Sequence, residues 1–492
     1  FLYPVRRQRK REAEASLSSP PGNRVPKHRE DLRKLDIITI DPDDARDFDD
    51  ALSLTPLEGG AVELGVHIAD VTHYVTEDSP LDREARQRGN STYLVDRVVP
   101  MLPERLSNDL CSLVPGKPRF AFSVFMTFSA RGILKDYRIV ESVIHSKRRF
   151  TYNEALEIIQ TGNGDYADLL KRLFKLSRVL NTRRMKSGGI NFQSQELKFI
   201  LDENKHPIRA VVKTATDATS LVEECMLAAN RTVAEHISHL QNAWNSRTAP
   251  PSIYRIHDDP NPEKLADAIA VVRAMGISVP NGKLTPADLN AILDAAKHRP
   301  DASAINTLLL RAMSKAVYAE ANVGHYGLGF TDYSHFTSPI RRYPDLFVHR
   351  VLKEYAKGQP AKGRWKHLLS QADEVSDHCS QCERNAIDAE RASVKCAQVM
   401  MARTMIGDVR VGTVSGVTTF GVFVTLDDVN IEGLLHIRDI SDDYYFFDER
   451  RFRLIGRRTR RTFAFGTRVT IKVVKADIEK RMIDFILADD HT

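Results

Sequence analysis

No window of this 492-residue chain approaches 18 uninterrupted apolar residues, so no transmembrane span is expected. An apolar signal core is missing from the N-terminus and the chain starts with Phe1 rather than Met, so a fragment or a processed product is expected. Cysteine is scarce. Cys111, Cys225, Cys379, Cys382 and Cys396 are odd in number, which favours a reducing, cytoplasmic setting over a disulfide-held one. Cys379-Ser-Gln-Cys382 lacks a second pair at zinc-site distance and is not read as a metal site. No repeat of fixed period is evident, which excludes a solenoid. A uniformly basic surface is also lacking. Residues 1–34 carry ten Lys/Arg against four Asp/Glu, enough to account for the whole net charge of +6. Any polyanion must therefore be held by local patches and by metal, with the tail Arg6-Arg-Gln-Arg-Lys-Arg11 adding unspecific attraction or remaining a solvated arm.

What is present is an ordinary soluble composition, 42% hydrophobic and 28% charged, long enough for more than one domain. Residues 12–34 read as a Ser/Pro/Gly linker. From 35 to about 150, β-rich runs (Val62 to Val71, Phe120 to Phe128, Tyr137 to Ile144) alternate with turns. Helices dominate after 151. Asn153 is expected to cap the first, and others are expected over Tyr166 to Ser187, Leu221 to Leu240, Asp301 to Ala321, Asp345 to Lys357 and Lys366 to Met405. The last segment alternates apolar and polar residues around Gly412, Gly416 and Gly421. Its five short strands fit an OB-type barrel.

The most loaded stretch is Asp41-Pro-Asp-Asp-Ala-Arg-Asp-Phe-Asp-Asp50, six carboxylates between two apolar runs. Two carboxylates about 4 Å apart repel by roughly 1 kcal/mol in water and about 4 at an effective dielectric near 20. Such a loop must raise its pKa values, stay in water or bind a cation, and clustered hard oxygens suit Mg²⁺ or Mn²⁺. An EF-hand does not fit, because Arg46 and Leu52 stand where the sharp-turn Gly and the bidentate Glu belong. A plain solvated turn is the alternative, opposed by Phe48 and the flanking apolar runs. A second constellation is His335-Phe-Thr-Ser-Pro-Ile-Arg-Arg-Tyr343. Arginines entering a helix N-terminus oppose its dipole, so they ask for an anionic partner, either a phosphate or a structural carboxylate.

Together with His67-Ile-Ala-Asp70, Tyr93, Pro100-Met-Leu-Pro103, Leu106 to Leu113, Gly188-Gly-Ile-Asn-Phe192 and Glu223-Glu-Cys-Met226, these segments closely resemble the RNB catalytic domain of the ribonuclease R and ribonuclease II family, on its ribonuclease R-like branch. The resemblance implies an α+β fold: a basic tail and linker (1–34), an RNB catalytic domain with a mixed sheet and surrounding helices (35–405), and an S1-type five-stranded OB-fold (406–492). The chain is expected to lack the family's N-terminal cold-shock domains. The resemblance also implies that Asp41, Asp47, Asp49 and Asp50 hold Mg²⁺ (Mn²⁺ able to substitute) and orient the attacking water. Arg341 then contacts the scissile phosphate, with Arg342 beside it. Tyr93 and Phe192 match the two ends of a base-stacking clamp, and Glu223 and Glu390 match acidic residues near the RNA 3′ end. In the barrel, Phe420, Phe423 and His436 fall where such domains stack bases, although Phe420 and Phe423 also suit a core.

The activity so implied is processive 3′→5′ hydrolysis of single-stranded RNA with a free 3′ end, by a monomeric cytoplasmic protein without membrane partners. A disabled RNB domain that only binds RNA, and a hydrolase of another phosphodiester, are the rival expectations.

Overall fold

The computed structural model describes residues 20–22, 24–192, 196–299, 301–449 and 452–488. The basic run Arg6 to Arg11 lies outside them. A seven-stranded mixed sheet organises the N-terminal half. In chain order its strands are β1 (Glu30–Asp31), β2 (Ile38–Asp41), β3 (Asp50–Pro56), β4 (Val62–Ala69), β5 (Pro118–Phe128), β6 (Leu134–His145) and β7 (Arg148–Thr151). Their spatial order is β1-β6-β5-β4-β3-β2-β7, with both edge strands parallel to their neighbours and the rest antiparallel. The central strands β2 to β5 are mostly apolar and largely buried on both faces, whereas β1 and the first half of β6 stay partly exposed. On one face Thr232, from the helix Asp217–Ala243, meets the Met126 sulfur at 3.3 Å, and Phe336 and His349 pack on Phe122. The interior of the sheet also holds a polar rung. Ser53 Oγ lies 2.9 Å from His67 Nε2, His67 Nδ1 2.8 Å from Ser123 Oγ, and that hydroxyl 2.7 Å from Ser142 Oγ. Burial, with Arg138 adding to it, pushes His67 down to about 3, so the ring is neutral and structural.

The segment read as linker is built into this sheet from its last residues onward. β1 pairs with β6, and the buried Arg29 places Nη2 2.6 Å from Asp70 Oδ2 and 3.0 Å from Glu141. Lys353 completes the cluster at 2.7 Å from Asp70 and 3.1 Å from Glu141. Burial alone would raise the Asp70 carboxyl, but Lys353 and Arg29 override it and hold the group far below its ordinary range. Asp70→Ala leaves buried cations short of a partner, and a loss of about 3–5 kcal/mol is expected in denaturant unfolding at neutral pH. Because the folded-state pKa is depressed, this contribution is present above the unfolded value near 4 and shrinks as the pH falls below it. A gap between wild type and variant that does not narrow in acid would contradict the assignment.

Helices follow largely as the periodicity dictates, with informative differences. The first spans Tyr152–Thr161, and its cap is Thr151, not Asn153. Thr151 Oγ1 accepts from Glu154 N at 3.1 Å while Glu154 Oε2 accepts from Thr151 N at 2.8 Å, a reciprocal capping box. The expected helix over Asp301 to Ala321 stops at Ala312, and Val317–Ala319 instead forms a strand against Tyr254–Ile256. Two further helices, Pro262–Ala274 and Pro286–Ala296, and a hairpin, Glu196–Leu201 with Pro207–Lys213, were not expected from the sequence. The longest helix, Lys362–Arg403, has 42 residues. Its end, with Val399, Met401 and Ala402, is part of the hydrophobic core of the C-terminal barrel. That barrel closes from five strands, Val409–Thr418, Gly421–Leu426, Glu432–His436, Arg468–Asp477 and Met482–Leu487. Among the described residues no helix is long and apolar enough to cross a membrane.

Candidate active site

β2 and β3 are antiparallel neighbours in the sheet, and the acidic loop connects them. Several side chains hold it closed. Ser112 Oγ accepts from Phe48 N at 3.0 Å and donates to Arg46 O at 2.8 Å, and Leu113 N reaches Phe48 O at 3.0 Å. Phe48 is thereby buried, as is the adjacent Asp49. Arg149, on β7, donates to the carbonyls of Pro42 and Asp43 and lies over the Phe48 ring at 5.3 Å. Arg149 was not singled out from sequence, and Ser112 stood there only within the Leu106 to Leu113 motif; they lie 64–66 and 106–107 residues from the groups they bind.

The six acids divide by burial. Asp43 and Asp44 are exposed, Asp44 pairing with Lys198 of the hairpin at 2.9 Å. Asp41 and Asp49 are buried, and Asp47 and Asp50 are half-buried. Burial pushes Asp41 upward, with Asp50 and Asp47 adding repulsion; burial likewise raises Asp50, against Arg341 and Arg342. Asp49 is driven well above the carboxylate range by burial, which Arg341 and the Ile340 N–H offset only in part. Asp47 is raised by the same cause. Four mutually interacting carboxylates are thus held where ionising them costs free energy.

The counter-charge arrives from the distant turn before the helix Tyr343–Tyr355. Ile340 N donates to Asp49 Oδ1 at 2.9 Å, and Arg341 Nε stands 3.8 Å from Asp49 Oδ2. The Arg341 side chain is 43% exposed, so much of its fork remains open to a ligand. Arg342 behaves differently from the expectation of a substrate contact. Its Nε and Nη2 engage both oxygens of the fully buried Asp345 at 2.9 and 2.8 Å, and Asp345 also accepts from Ser338 N at 2.7 Å. Arg342 with Asp345 therefore shapes the turn that presents Arg341.

The aromatic wall is tied to the same turn. Ser91 N donates to Arg341 O and Tyr343 N to Gly89 O. Gly89 has φ 71° and sits so near the long helix that a Cβ would lie 2.7 Å from that of Cys382. Tyr93 N donates to Glu390 Oε1 at 3.0 Å, which joins two expected site residues 297 positions apart. The Tyr93 ring is 40% exposed, yet desolvation pushes its hydroxyl up to about 12 against Arg341, with Asp47, Asp49 and Glu390 adding to the rise.

The remaining expected residues are not drawn into contact with the acids. Phe192 packs on a separate apolar cluster with Ile190 and Ile269. Its loop is fixed by Asn290, which donates to Gly189 O at 2.7 Å and accepts from Asn191 N at 2.9 Å. Glu223 is exposed on the helix Asp217–Ala243, beside the buried Glu224 that pairs with Arg184 at 2.6 Å. In the barrel, strand alternation buries Val422 and Val424 and turns Phe423 outward, its ring 6.3 Å from Phe420, which in turn lies 6.4 Å from His436.

Among the described residues no three His, Cys, Asp or Glu side chains are gathered closely enough to hold an ion. The fit of a cation rests instead on Oδ2 of Asp41, which is buried without a hydrogen-bond partner, and on the all-oxygen chemistry of the four carboxylates.

Comparison with known proteins adds to this geometry. Residues 29–358 match the RNB domain and residues 403–487 the S1 RNA binding domain. Ribonuclease R of Escherichia coli (strain K12) is 40% identical over 474 residues, 93% of this chain and 57% of its own length. Ribonuclease R of Thermotoga maritima is 41% identical over 471 residues, 94% of this chain and 65% of its own. Mycoplasma genitalium RNase R, solved in complex with ribose methylated single-stranded RNA, superposes with a TM-score of 0.91 at 30% identity, covering 99% of this chain and 76% of that one. The chain thus spans about six-tenths of the length of the curated relatives it matches.

Proposed function

The chain belongs to the RNB-domain family, and from that premise we propose that it is a Mg²⁺-dependent exoribonuclease (Mn²⁺ able to substitute). It hydrolyses single-stranded RNA processively from a free 3′ end to nucleoside 5′-monophosphates, as a monomer in the cytoplasm. The observation that carries this reading is the closure of the acidic loop by Ile340 and Arg341 from 291 positions away.

Asp41, Asp47, Asp49 and Asp50 are the residues that would hold the ion. A bound divalent cation supplies a water of lowered pKa and neutralises phosphate charge. Arg341 offers its open guanidinium to the scissile phosphate, where a rigid fork stabilises the charge that develops in the transition state. Asp49, locked by the Ile340 N–H, fixes the loop so that no reorganisation is needed at that moment. Tyr93 stacks the terminal base and Phe192 the far end of the stacked bases. Every base has a π-face, so this clamp reads no sequence and suits advance by one nucleotide at a time. Arg342 acts behind Arg341 through Asp345. Glu390 positions Tyr93 near the 3′ end, and Glu223 meets a 2′-hydroxyl, the group that separates RNA from DNA.

Matched 5′-labelled RNA and DNA oligomers incubated with Mg²⁺ test the proposal. Stepwise shortening of the labelled RNA alone, as its 3′ mononucleotides are released, is expected. Binding without release would favour a disabled domain, and equal cleavage of DNA a broader phosphodiesterase. Tyr93→Ala is expected to remove a stacking contact worth about 1–3 kcal/mol, weakening the grip on short RNA by about tenfold or more and leaving longer end products on a gel. An unchanged end product would remove Tyr93 from the clamp.

Metal binding should also depend on pH. The raised carboxyls of Asp41, Asp49 and Asp50 keep protons that the unfolded chain has lost, so the ion-free protein loses stability as the pH rises. A cation takes the place of those protons. Its stabilisation, about 2.7 kcal/mol at a hundred times Kd, should therefore grow from about pH 6 to about pH 8 in thermal unfolding with Mg²⁺ against chelator. A shift independent of pH would contradict the carboxylate site.

A further inference from the structure

The run Arg451 to Arg461 holds six arginines and reads in sequence as either a backbone-tracking patch or a solvated loop. Among the described residues it is neither linker nor loop alone. Tyr445–Asp448, Arg453–Gly456 and Thr462–Ala464 form a three-stranded antiparallel sheet inserted between the third and fourth barrel strands. Its turns open a surface pocket edged by Arg438, Tyr444, Arg457 and Arg458.

The acids in this pocket are largely used, Oδ1 of Asp442 alone among their carboxylate oxygens being buried without a hydrogen-bond partner among the described residues. Asp443 accepts from the backbone N–H of Tyr444 and Arg458 at 2.7 Å each, and from N and Oγ1 of Thr459 at 2.5 and 2.8 Å. Asp442 pairs with Arg461 at 3.1 Å and accepts from the Tyr445 hydroxyl at 3.2 Å. Arg457, Arg458 and Arg460 are exposed and make no ion pair among the described residues, Arg458 donating from Nη2 only to the Asp442 carbonyl at 3.2 Å. Arg438 is 77% exposed, its nearest carboxylate being Asp439 at 3.9 Å. Tyr444 is 85% exposed, the most open ring among the large exposed hydrophobic side chains. Folding gains nothing from a ring displayed in water beside unpaired cations.

The pocket is also continuous with the barrel's aromatic face. Ile437 and Arg438, which line it, directly follow His436, and His436 lies against the exposed Phe420. We propose that the inserted sheet is a second single-stranded RNA subsite, with Tyr444 stacking a base and Arg438, Arg457 and Arg458 holding the flanking phosphates of a strand that has crossed Phe420 and His436. Guanidinium forks match phosphate oxygens, and a neighbouring ring adds sequence-blind stacking. An acidic protein surface would meet the arginines but gives Tyr444 no flat partner. This subsite rests on the reading of RNA as the ligand.

The test uses the full chain carrying Asp49→Asn, so that bound RNA survives, with oligomers of about 5 and about 20 nucleotides. Arg457→Ala with Arg458→Ala should cut the ratio of long-oligomer to short-oligomer affinity by about tenfold. It should also lower the log–log salt slope for the long oligomer by about 1.4, since each phosphate contact on a single strand contributes about 0.7. Tyr444→Ala should lower the same ratio without changing the slope, and Arg457→Lys with Arg458→Lys should keep most of the slope. An unchanged ratio and slope in the double alanine variant would overturn the subsite while leaving the catalytic reading intact. Failure of the parent chain to bind either oligomer would instead overturn the reading of RNA as the ligand, and the subsite with it.

Discussion

Asp49→Asn is expected to stop turnover, lowering kcat by about a thousandfold or more, while the chain stays folded and holds RNA with nearly unchanged affinity. Asparagine matches aspartate in shape, and its Oδ1 still accepts the Ile340 N–H that closes the site at 2.9 Å. What is lost is one negative charge in a group of four and an oxygen 3.8 Å from Arg341. The same change removes a buried carboxyl whose ionisation is opposed by burial and by Asp47 and Asp50. The thermal midpoint in chelator should therefore stay level or rise as activity falls, the trade expected of a residue kept for function at the expense of stability. Single-turnover assays beside thermal unfolding decide the matter. Wild-type rates would sink the assignment, and a large drop in melting temperature would recast Asp49 as structural.

Arg341→Ala is expected to lower kcat by about a thousandfold with little change in KM, because a guanidinium aimed at developing phosphate charge acts mainly in the transition state. Arg341→Lys should recover little, since an ammonium brings a point charge in place of a planar fork. The adjacent arginine supplies an internal contrast. Arg342→Ala strands the buried Asp345 carboxylate, so it should cost about 3–5 kcal/mol of stability and lose activity through disorder of the 338–342 turn. Neighbouring residues would thus fail in different measurements, Arg341 in the chemical step and Arg342 in the melting curve. Equal melting curves for the two variants would contradict this division.

How far the site could be read in advance depended on where its signals lie. Six acids within ten residues announce themselves through charge density alone, and the burial of Asp41 and Asp49 with exposure of Asp43 and Asp44 follows from the apolar runs on either side. The barrel was legible from glycine-punctuated alternation. Two missed helices carried readable signals, Asn261 before Pro262 and Thr285-Pro286 with Asp288 completing a capping box. The Arg342–Asp345 pair was open to inference too, from its spacing of three along a helix start. Other parts left no local trace. Arg149 is one of two strand arginines until the fold brings it to the acidic loop, and Ser112 stands in the Leu106 to Leu113 motif with nothing to say which backbone it holds. The inserted barrel sheet was hidden because arginines obscure the two-residue alternation of its strands.

The hydrogen bond from Ile340 to Asp49 joins positions 291 apart, and this has a consequence for how the chain is made. At roughly 5–20 residues per second, the acidic loop emerges from a ribosome about 15–60 seconds before the turn that closes it. Throughout that interval the nascent chain carries the carboxylates without Arg341, and Tyr93 without Glu390. On the proposed function, the site therefore stays incomplete until the 338–342 turn has been made, and its assembly is set by chain length.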